Sequence, residues 1–299
     1  MFRRLLPLHM KFFKRCELMI AVCPNPFRDI DLHITRQVTD MLNNAGFETA
    51  VCPIFADDEP GIIPSDINVV KLENIADKCS LIVVIGGDGT ILSVARTLHE
   101  YSIPILGVNL GTMGFMAALE ADNLPLILKA ANGEMSVSRR MKLDVSVIRD
   151  GAIVCSDCAL NDAVIHGYGD CIKLTANCGG DIITSFAGDG IILATPTGST
   201  GYSMSAGGPI VEPDTENIII SPICAHMLGA RSFVLDSTRE IYVTAEKLHG
   251  RRAYLAVDGI SVCDLVNGDT IKVKRSAQYT PMVNMGLKSF FDVAYEKLT

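Results

Sequence analysis

Residues 81–85 form an unbroken apolar run, Leu-Ile-Val-Val-Ile, followed at once by Gly86-Gly87-Asp88-Gly89-Thr90. An apolar run of this length without alternation reads as a strand buried on both faces, the kind found in parallel sheets. Three glycines in the next four positions end it in a turn where the backbone can approach a ligand closely. Residues 91–98 then have helical character. Strand, glycine turn and helix start together make a phosphate-binding arrangement, because glycine lifts the Cβ barrier and the free N–H groups of a first helical turn face an anion. Asp88 does not suit a simple phosphate cradle, since a carboxylate repels phosphate. It points to a metal, or to a hydroxyl to be activated, beside the phosphate. The plainer alternative is a tight strand-to-helix turn with an Asp cap.

The flanking segments extend this pattern. Residues 18–23 are an apolar strand closed by Pro24-Asn25-Pro26. Ile34, Val38, Met41, Leu42 and Ala45 follow helical spacing, with Gly46 placed as the stop. A second strand is expected over 48–53, an acidic Pro- and Gly-containing loop over 55–66, a strand over 103–108 leading into Asn109, and a helix over 124–131 ended by Asn132-Gly133. Strands alternating with helices imply a parallel sheet with crossovers. Such sheets bind ligands beyond the carboxyl ends of their strands, where the loops after Ile85 and over 109–115 lie. From residue 136 the texture changes to short β-like runs broken by Asp150-Gly151, Gly179-Gly180, Asp258-Gly259 and Asn267-Gly268, pairs suited to tight hairpins. Leu287, Phe290, Phe291, Ala294 and Leu298 mark a C-terminal helix. The expected fold is thus α/β plus all-β. An open parallel α/β domain over 1–135, completed by 280–299, precedes a mostly antiparallel, sandwich-like β domain over 136–279.

Composition excludes several classes. A net charge of -8 argues against a nucleic-acid or anionic-membrane surface, and no apolar run approaches a membrane span. Residues 1–15 are basic, but Lys11 interrupts their apolar stretch too early for a signal-peptide core, so the expected compartment is the cytoplasm. Of the ten cysteines, Cys155 and Cys158 form a CxxC with Cys171 and Cys178 further on, which raises zinc. They lie in a run that reads as strand, where positions three apart face opposite ways, so no side chain is assigned as a metal ligand. Buried small hydrophobes or free thiols in a reducing compartment fit these cysteines better.

Three more stretches carry chemistry. Residues 188–209 run from a strand into six Ser and Thr among glycines and prolines (Thr195-Pro-Thr-Gly-Ser-Thr-Gly-Tyr202-Ser203-Met204-Ser205-Ala-Gly-Gly-Pro209), a poor core but a good source of hydroxyls and N–H groups for a polar ligand. Asn161-Asp162 is a polar pair inside an apolar run. It either needs buried partners, such as a ribose or adenine edge would supply, or faces water on an edge strand. In Pro222-Ile-Cys224-Ala-His226, the histidine is a general-base candidate but more commonly a packed residue, and Cys224 has no base adjacent in sequence.

Together with Asn109-Leu-Gly-Thr-Met-Gly114-Phe115, these stretches resemble the NAD kinase family, over most of the chain from residue 18 to the Asp258-Gly259 turn. The Gly86–Thr90 motif alone is shared with diacylglycerol, sphingosine and phosphofructo-kinases; the combination is specific. The resemblance implies phosphorylation of the adenosine 2′-hydroxyl of NAD. Asp88 would be the catalytic group, binding the adenosine ribose and acting as general base or fixing its hydroxyl. Gly86, Gly87, Gly89 and Thr90 would admit the phosphates of ATP, and Gly89 would also touch NAD. Phe115 would pack on the adenosine end, Asn161 and Asp162 would hydrogen-bond NAD, and Thr200, Gly201, Tyr202 and Ser205 would line the adenosine pocket. Asp189, Cys224 and Asp258 would contact the nicotinamide half. The resemblance also implies a dimer or tetramer built through the β domain. Phosphate groups meeting in a chain of net charge -8, with few basic residues in the motifs, call for Mg²⁺ or another divalent cation carried with ATP. Gly201 stands where Ala is frequent, Ala225 where Pro is frequent, and His166-Gly167 where many members carry a basic residue. A lipid or sugar kinase sharing the glycine loop, and a non-catalytic NAD(P) sensor, are the competing readings. The first lacks a membrane-docking segment, and the second has no need of Asp88.

Overall fold

A computed structural model describes residues 19–56, 61–111, 114–227, 229–246, 248 and 250–299. The basic segment 1–15 and the start of the first strand at Leu18 lie outside these. In chain order the strands are β1 (Met19–Pro24), β2 (Thr49–Val51), β3 (Cys79–Gly86), β4 (Ile105–Asn109), β5 (Leu119–Glu120), β6 (Ser136–Arg149), β7 (Ala152–Ala159), β8 (Asp162–Gly167) and β9 (Ile172–Cys178). They continue with β10 (Asp181–Gly188), β11 (Gly190–Ala194), β12 (Asn217–Ile223), β13 (Phe233–Asp236), β14 (Ile241–Glu246), β15 (Ala253–Val257), β16 (Ile260–Leu265) and β17 (Thr270–Asn284). The helices are α1 (His33–Asn44), α2 (Asp88–Thr97), α3 (Leu126–Ala131), the single turn α4 (Tyr202–Ser205) and α5 (Phe290–Leu298).

The α/β plus all-β expectation is met. β2, β1, β3 and β4 lie side by side and parallel, with Ile85 opposite Val108 and Gly86 opposite Asn109, so the glycine turn and the Asn109 loop leave the sheet at the same end. Both faces of this sheet are buried. Ala21, Ile82 and Val84 pack on the α2 side with Ile91 and Val94, and Ile20, Val83 and Ile85 pack with Val38 and Leu42 of α1. That two-sided burial is why β3 carries no alternation.

In the second half, the six antiparallel strands β13-β12-β11-β8-β15-β16 form one sheet, stacked on the first through alternate side chains such as Val145, Ile165, Leu193, Leu255 and Val273. The first sheet does not end with the α/β part. β17 pairs antiparallel with β14 and β6, and then parallel with β4 at Met282–Ile105, so one eleven-stranded sheet spans both halves. Asp150-Gly151, Gly179-Gly180 and Asp258-Gly259 close hairpins with positive φ at both positions, as expected. Asn267-Gly268 does not. Only Gly268 has positive φ, and the turn carries the chain from β16 in one sheet to β17 in the other.

Candidate functional site

Asp88 opens α2, with Gly87 before it in an extended conformation (φ -133°, ψ -172°). Thr90 is buried, and its hydroxyl accepts from the Gly87 N–H at 3.4 Å and from Asn25 Nδ2 at 3.3 Å, tying the turn to the loop after β1. Any side chain on Gly86 would run into Thr90, with its Cβ only 2.9 Å away. The half-buried Asp88 carboxylate accepts from the Phe115 N–H (2.8 Å, Oδ2) and the Met116 N–H (3.2 Å, Oδ1), and Gly114 has to be glycine because a Cβ there would collide with that carboxylate. Two donors hold the group in place, and each oxygen keeps a lone pair for a third partner. Gly89 is exposed, with open space where a side chain would be. The Phe115 ring is covered from the C-terminal helix, with Phe290 at 6.2 Å and Lys297 Nζ at 4.5 Å from its centroid.

A second centre is a cavity of about 560 Å³ lined among others by Asn161, Asp162, His166, Tyr202, Tyr254 and Asp258, with Leu92 of α2 at its edge. The polar pair does not sit on an edge strand. β8 is central, between β11 and β15, and Asp162 is 5% exposed at its start. Asp258, at the β15–β16 turn with φ 48°, accepts from the N–H groups of Leu160 (2.8 Å), Asn161 (2.7 Å) and Asp162 (3.0 Å). Its carboxylate therefore shapes the backbone that presents Asn161 and Asp162. Burial, and then the nearby Asp258, pushes the Asp162 carboxyl up to about 7. Burial also raises Asp258, against the pull of its three N–H donors, so Asp162 is the member of the pair that keeps a proton. The buried Asn161 Oδ1 has no partner among the described residues, and a polar ligand in the cavity would supply one.

The hydroxyl-rich stretch divides in two. Thr195 Oγ1 donates to Leu160 O (2.6 Å) and accepts from the Gly198 N–H (3.0 Å), and a Cβ on Gly198 would collide with the Asn161 carbonyl. Ser199 donates to Pro196 O and Ser203 bonds Ser221, both fully buried, so these hydroxyls lock the segment onto β11 and β12. Tyr202 is left at the cavity. Thr200 donates to Thr197 O, Gly201 lies near Asn161 Nδ2 and Asp162 Oδ2, and Ser205 is exposed. The thiol of the exposed Cys224, at φ 45°, has its pKa raised by the neighbouring Asp189 carboxylate. Both groups stand close enough to Tyr202 to act on it electrostatically. His226 is exposed, its ring nitrogen 3.7 Å from Cys171 Sγ.

Residues 18–134 match the ATP-NAD kinase N-terminal domain, and residues 160–285 match the ATP-NAD kinase C-terminal domain. The NAD kinase of Acetivibrio thermocellus is 38% identical over 284 residues, covering 94% of this chain and 97% of that protein. The NAD kinase of Geobacter sulfurreducens is 42% identical over 241 residues, 80% and 82% of the two chains. The chain belongs to the NAD kinase family. In structure it is similar to yeast NADH kinase in complex with NADH (TM-score 0.81, 25% identity, 94% of this chain and 88% of that one). It is also similar to the Archaeoglobus fulgidus NAD kinase in complex with ATP (TM-score 0.71, 28% identity, 94% and 98%).

Against that family frame, several residues join the site that sequence reasoning passed over. Tyr254 packs against His166 (6.0 Å) and Tyr168 (4.6 Å) in the cavity, and Arg96 at the far end of α2 donates to Val257 O beside Asp258. Arg28 lies over the glycine turn. None sits in a motif, and each meets its partner only through tertiary packing. The Pro24-Asn25-Pro26 turn, placed directly after a strand, was the one local signal near Arg28.

Proposed function

We propose that this chain is an ATP-dependent NAD kinase, transferring the γ-phosphoryl group of ATP to the adenosine 2′-hydroxyl of NAD to give NADP. The observation that carries the reading is the position of Asp88. It stands at the head of α2, where free N–H groups face an anion, while the same helix borders the cavity holding Asn161 and Asp162. A phosphate donor and a ribose acceptor brought to the two sides of Asp88 would meet at its carboxylate. The 2′-oxygen attacks the γ-phosphorus, the bond to the β-phosphate oxygen breaks, ADP leaves, and Asp88 takes the hydroxyl proton or orients it for release. Gly86, Gly87, Gly89 and Thr90 leave room for the donor. Asn161, Asp162, Thr200, Gly201, Tyr202 and Ser205 serve the adenosine, Asp189 and Cys224 the nicotinamide half, and Asp258, in the cavity wall, holds the backbone of 160–162 in place. Phe115 acts with the α5 residues that cover it.

A divalent cation fits the donor side. Asn109 Oδ1 is buried without a partner among the described residues, next to Glu120 Oε2 at 2.9 Å from the same amide's Nδ2. These oxygens would face a magnesium ion carried with ATP, which supplies charge neutralisation of the phosphates. The cytoplasm is the inferred compartment. Nine cysteines among the described residues carry no disulfide, and no helix among them is long and apolar enough to cross a membrane. Self-association through the β-rich half is also proposed, supported by the exposed Ile182 and Val234 on the end strands β10 and β13.

The test is formation of NADP from ATP, Mg²⁺ and NAD, read by a dehydrogenase-coupled assay. Absence of NADP, or a preference for diacylglycerol or a sugar, overturns the reading. Asp88→Asn is expected to lower turnover about 10²- to 10⁴-fold while NAD binding persists. Near-normal turnover in that variant would sink the base role.

A further inference from the structure

A second cleft, of about 420 Å³, opens at the carboxyl ends of β1 and β4 and is lined by Arg28, Asn109, Leu110, Gly111, Glu120 and Asp122 among others. It shares no residue with the Asn161–Asp162 cavity. The Arg28 guanidinium spans it. Nη1 donates to Leu110 O at 3.0 Å, lies 3.0 Å from where a Cβ on Gly111 would stand, and 3.2 Å from where one on Gly87 would stand. The absence of side chains at Gly87 and Gly111 is thus what lets this cation reach the head of α2.

Arg28 is presented by a braced loop. Asn25 is tied to Ile85 O through its N–H (2.8 Å) and to Thr90 through its side chain, and it accepts from the Phe27 N–H (3.0 Å). On the other side, the buried Asp29 accepts from the Ile34 and Thr35 N–H groups (2.9 Å each) and the Thr35 hydroxyl (2.6 Å). Between these two anchors Arg28 is exposed and makes no ion pair among the described residues; one of its five N–H donors has a protein acceptor. In a chain with 34 acidic and 26 basic residues, an arginine held over a helix N-terminus and left out of any ion pair among the described residues, with Glu120 and Asp122 elsewhere in the cleft, is set to receive an anion from outside. The same cleft contains Asn109, 2% exposed, whose Oδ1 has no donor among the described residues. An anion alone would leave that oxygen unsatisfied, whereas an anion that brings a hydrated cation would satisfy it.

We infer that Arg28 grips the polyphosphate tail of the nucleoside triphosphate donor, with Asn109 Oδ1 facing the cation and waters that accompany it. This rests on the kinase reading above. It assigns donor affinity to a residue outside every motif and separates it from the acceptor cavity. Arg28→Gln and Arg28→Lys in the full chain test it, by steady-state kinetics for ATP and NAD and by calorimetric titration with inorganic tripolyphosphate in the presence of Mg²⁺. Loss of a charge-assisted fork should raise KM for ATP and weaken tripolyphosphate about 10- to 100-fold in the Gln variant, leave KM for NAD within about twofold, and be partly rescued by Lys. A KM for ATP that stays within about twofold, or a KM for NAD that rises in step with it, overturns the assignment. Unchanged melting of the Lys variant guards against simple misfolding. Tripolyphosphate binding that Arg28→Gln abolishes supports the assignment even in a protein that forms no NADP, an outcome that would sink the kinase reading alone.

Discussion

Asp162 is the residue whose ionisation folding changes most clearly. An aspartate in an unfolded chain releases its proton near pH 3.9, whereas burial and Asp258 hold the folded Asp162 at about 7. Between these values the folded chain keeps a proton that the unfolded chain has lost, so stability falls as pH rises from about 4 to about 7 and levels off above. Asp162→Asn removes that loss. By urea unfolding, the variant should gain on the wild type by about 2–4 kcal/mol more at pH 8 than at pH 4, three pKa units setting the upper bound. A stability gap that does not change with pH would show that Asp162 is ionised in the folded state. In the sequence, Asn161-Asp162 was visible as a polar pair in an apolar run. That the pair is buried, and that Asp258 organises it, came from a residue 97 positions away from Asn161.

At the scale of elements, α2 links the glycine turn to the second cavity. Its ten residues span about 15 Å, with Asp88 at the head, Leu92 at the Asn161–Asp162 cavity and Arg96 in the last turn. Arg96 forms an ion pair with Asp157 of β7 and donates to Val257 O at 3.3 Å, the residue before Asp258. The helix thereby sets where Asp88 stands relative to the strand that Asp258 presents. Arg96→Met should cost about 1–3 kcal/mol, since it leaves the half-buried Asp157 unpaired, and lower kcat about tenfold. Arg96→Met with Asp157→Leu should recover melting temperature without recovering kcat, because the stray charge is gone but the docking is not restored. A double variant with wild-type kcat would reduce Arg96 to a structural role. The helix was legible from its apolar spacing. Its far anchor, 161 positions along the chain at Val257, was not.

Across the whole molecule, the eleven-stranded sheet ends at β10 and the six-stranded sheet at β13, both in the β-rich half. Ile182 on β10 is 69% exposed and Val234 on β13 is 48% exposed. Apolar side chains on open sheet edges invite pairing unless covered, and a second copy of the chain is the proposed cover. Light scattering in solution should give a dimer or tetramer, and Ile182→Lys with Val234→Lys should lower the mass. A monomer at micromolar concentration would remove the proposal.

Local chain chemistry was enough for the two-sided burial of β3, the glycine turn at the head of α2, the stop of α1 at Gly46 (φ 86°) and three hairpins with paired positive φ. These follow from side-chain period and allowed φ, which neighbours along the chain decide. Tertiary structure alone decided that Asn267-Gly268 changes sheets, that Ser199 and Ser203 turn inward, and that β17 joins the two halves. It also decided that Arg28 reaches Leu110 across 82 positions. Such partners are chosen by packing and by the need to satisfy buried polar groups, and neither leaves a periodic trace in the chain. Gly86–Thr90 reads as a place for phosphate from the chain alone. That the Phe115 and Met116 N–H groups hold Asp88, and that Arg28 lies over Gly87, is visible only in the folded structure.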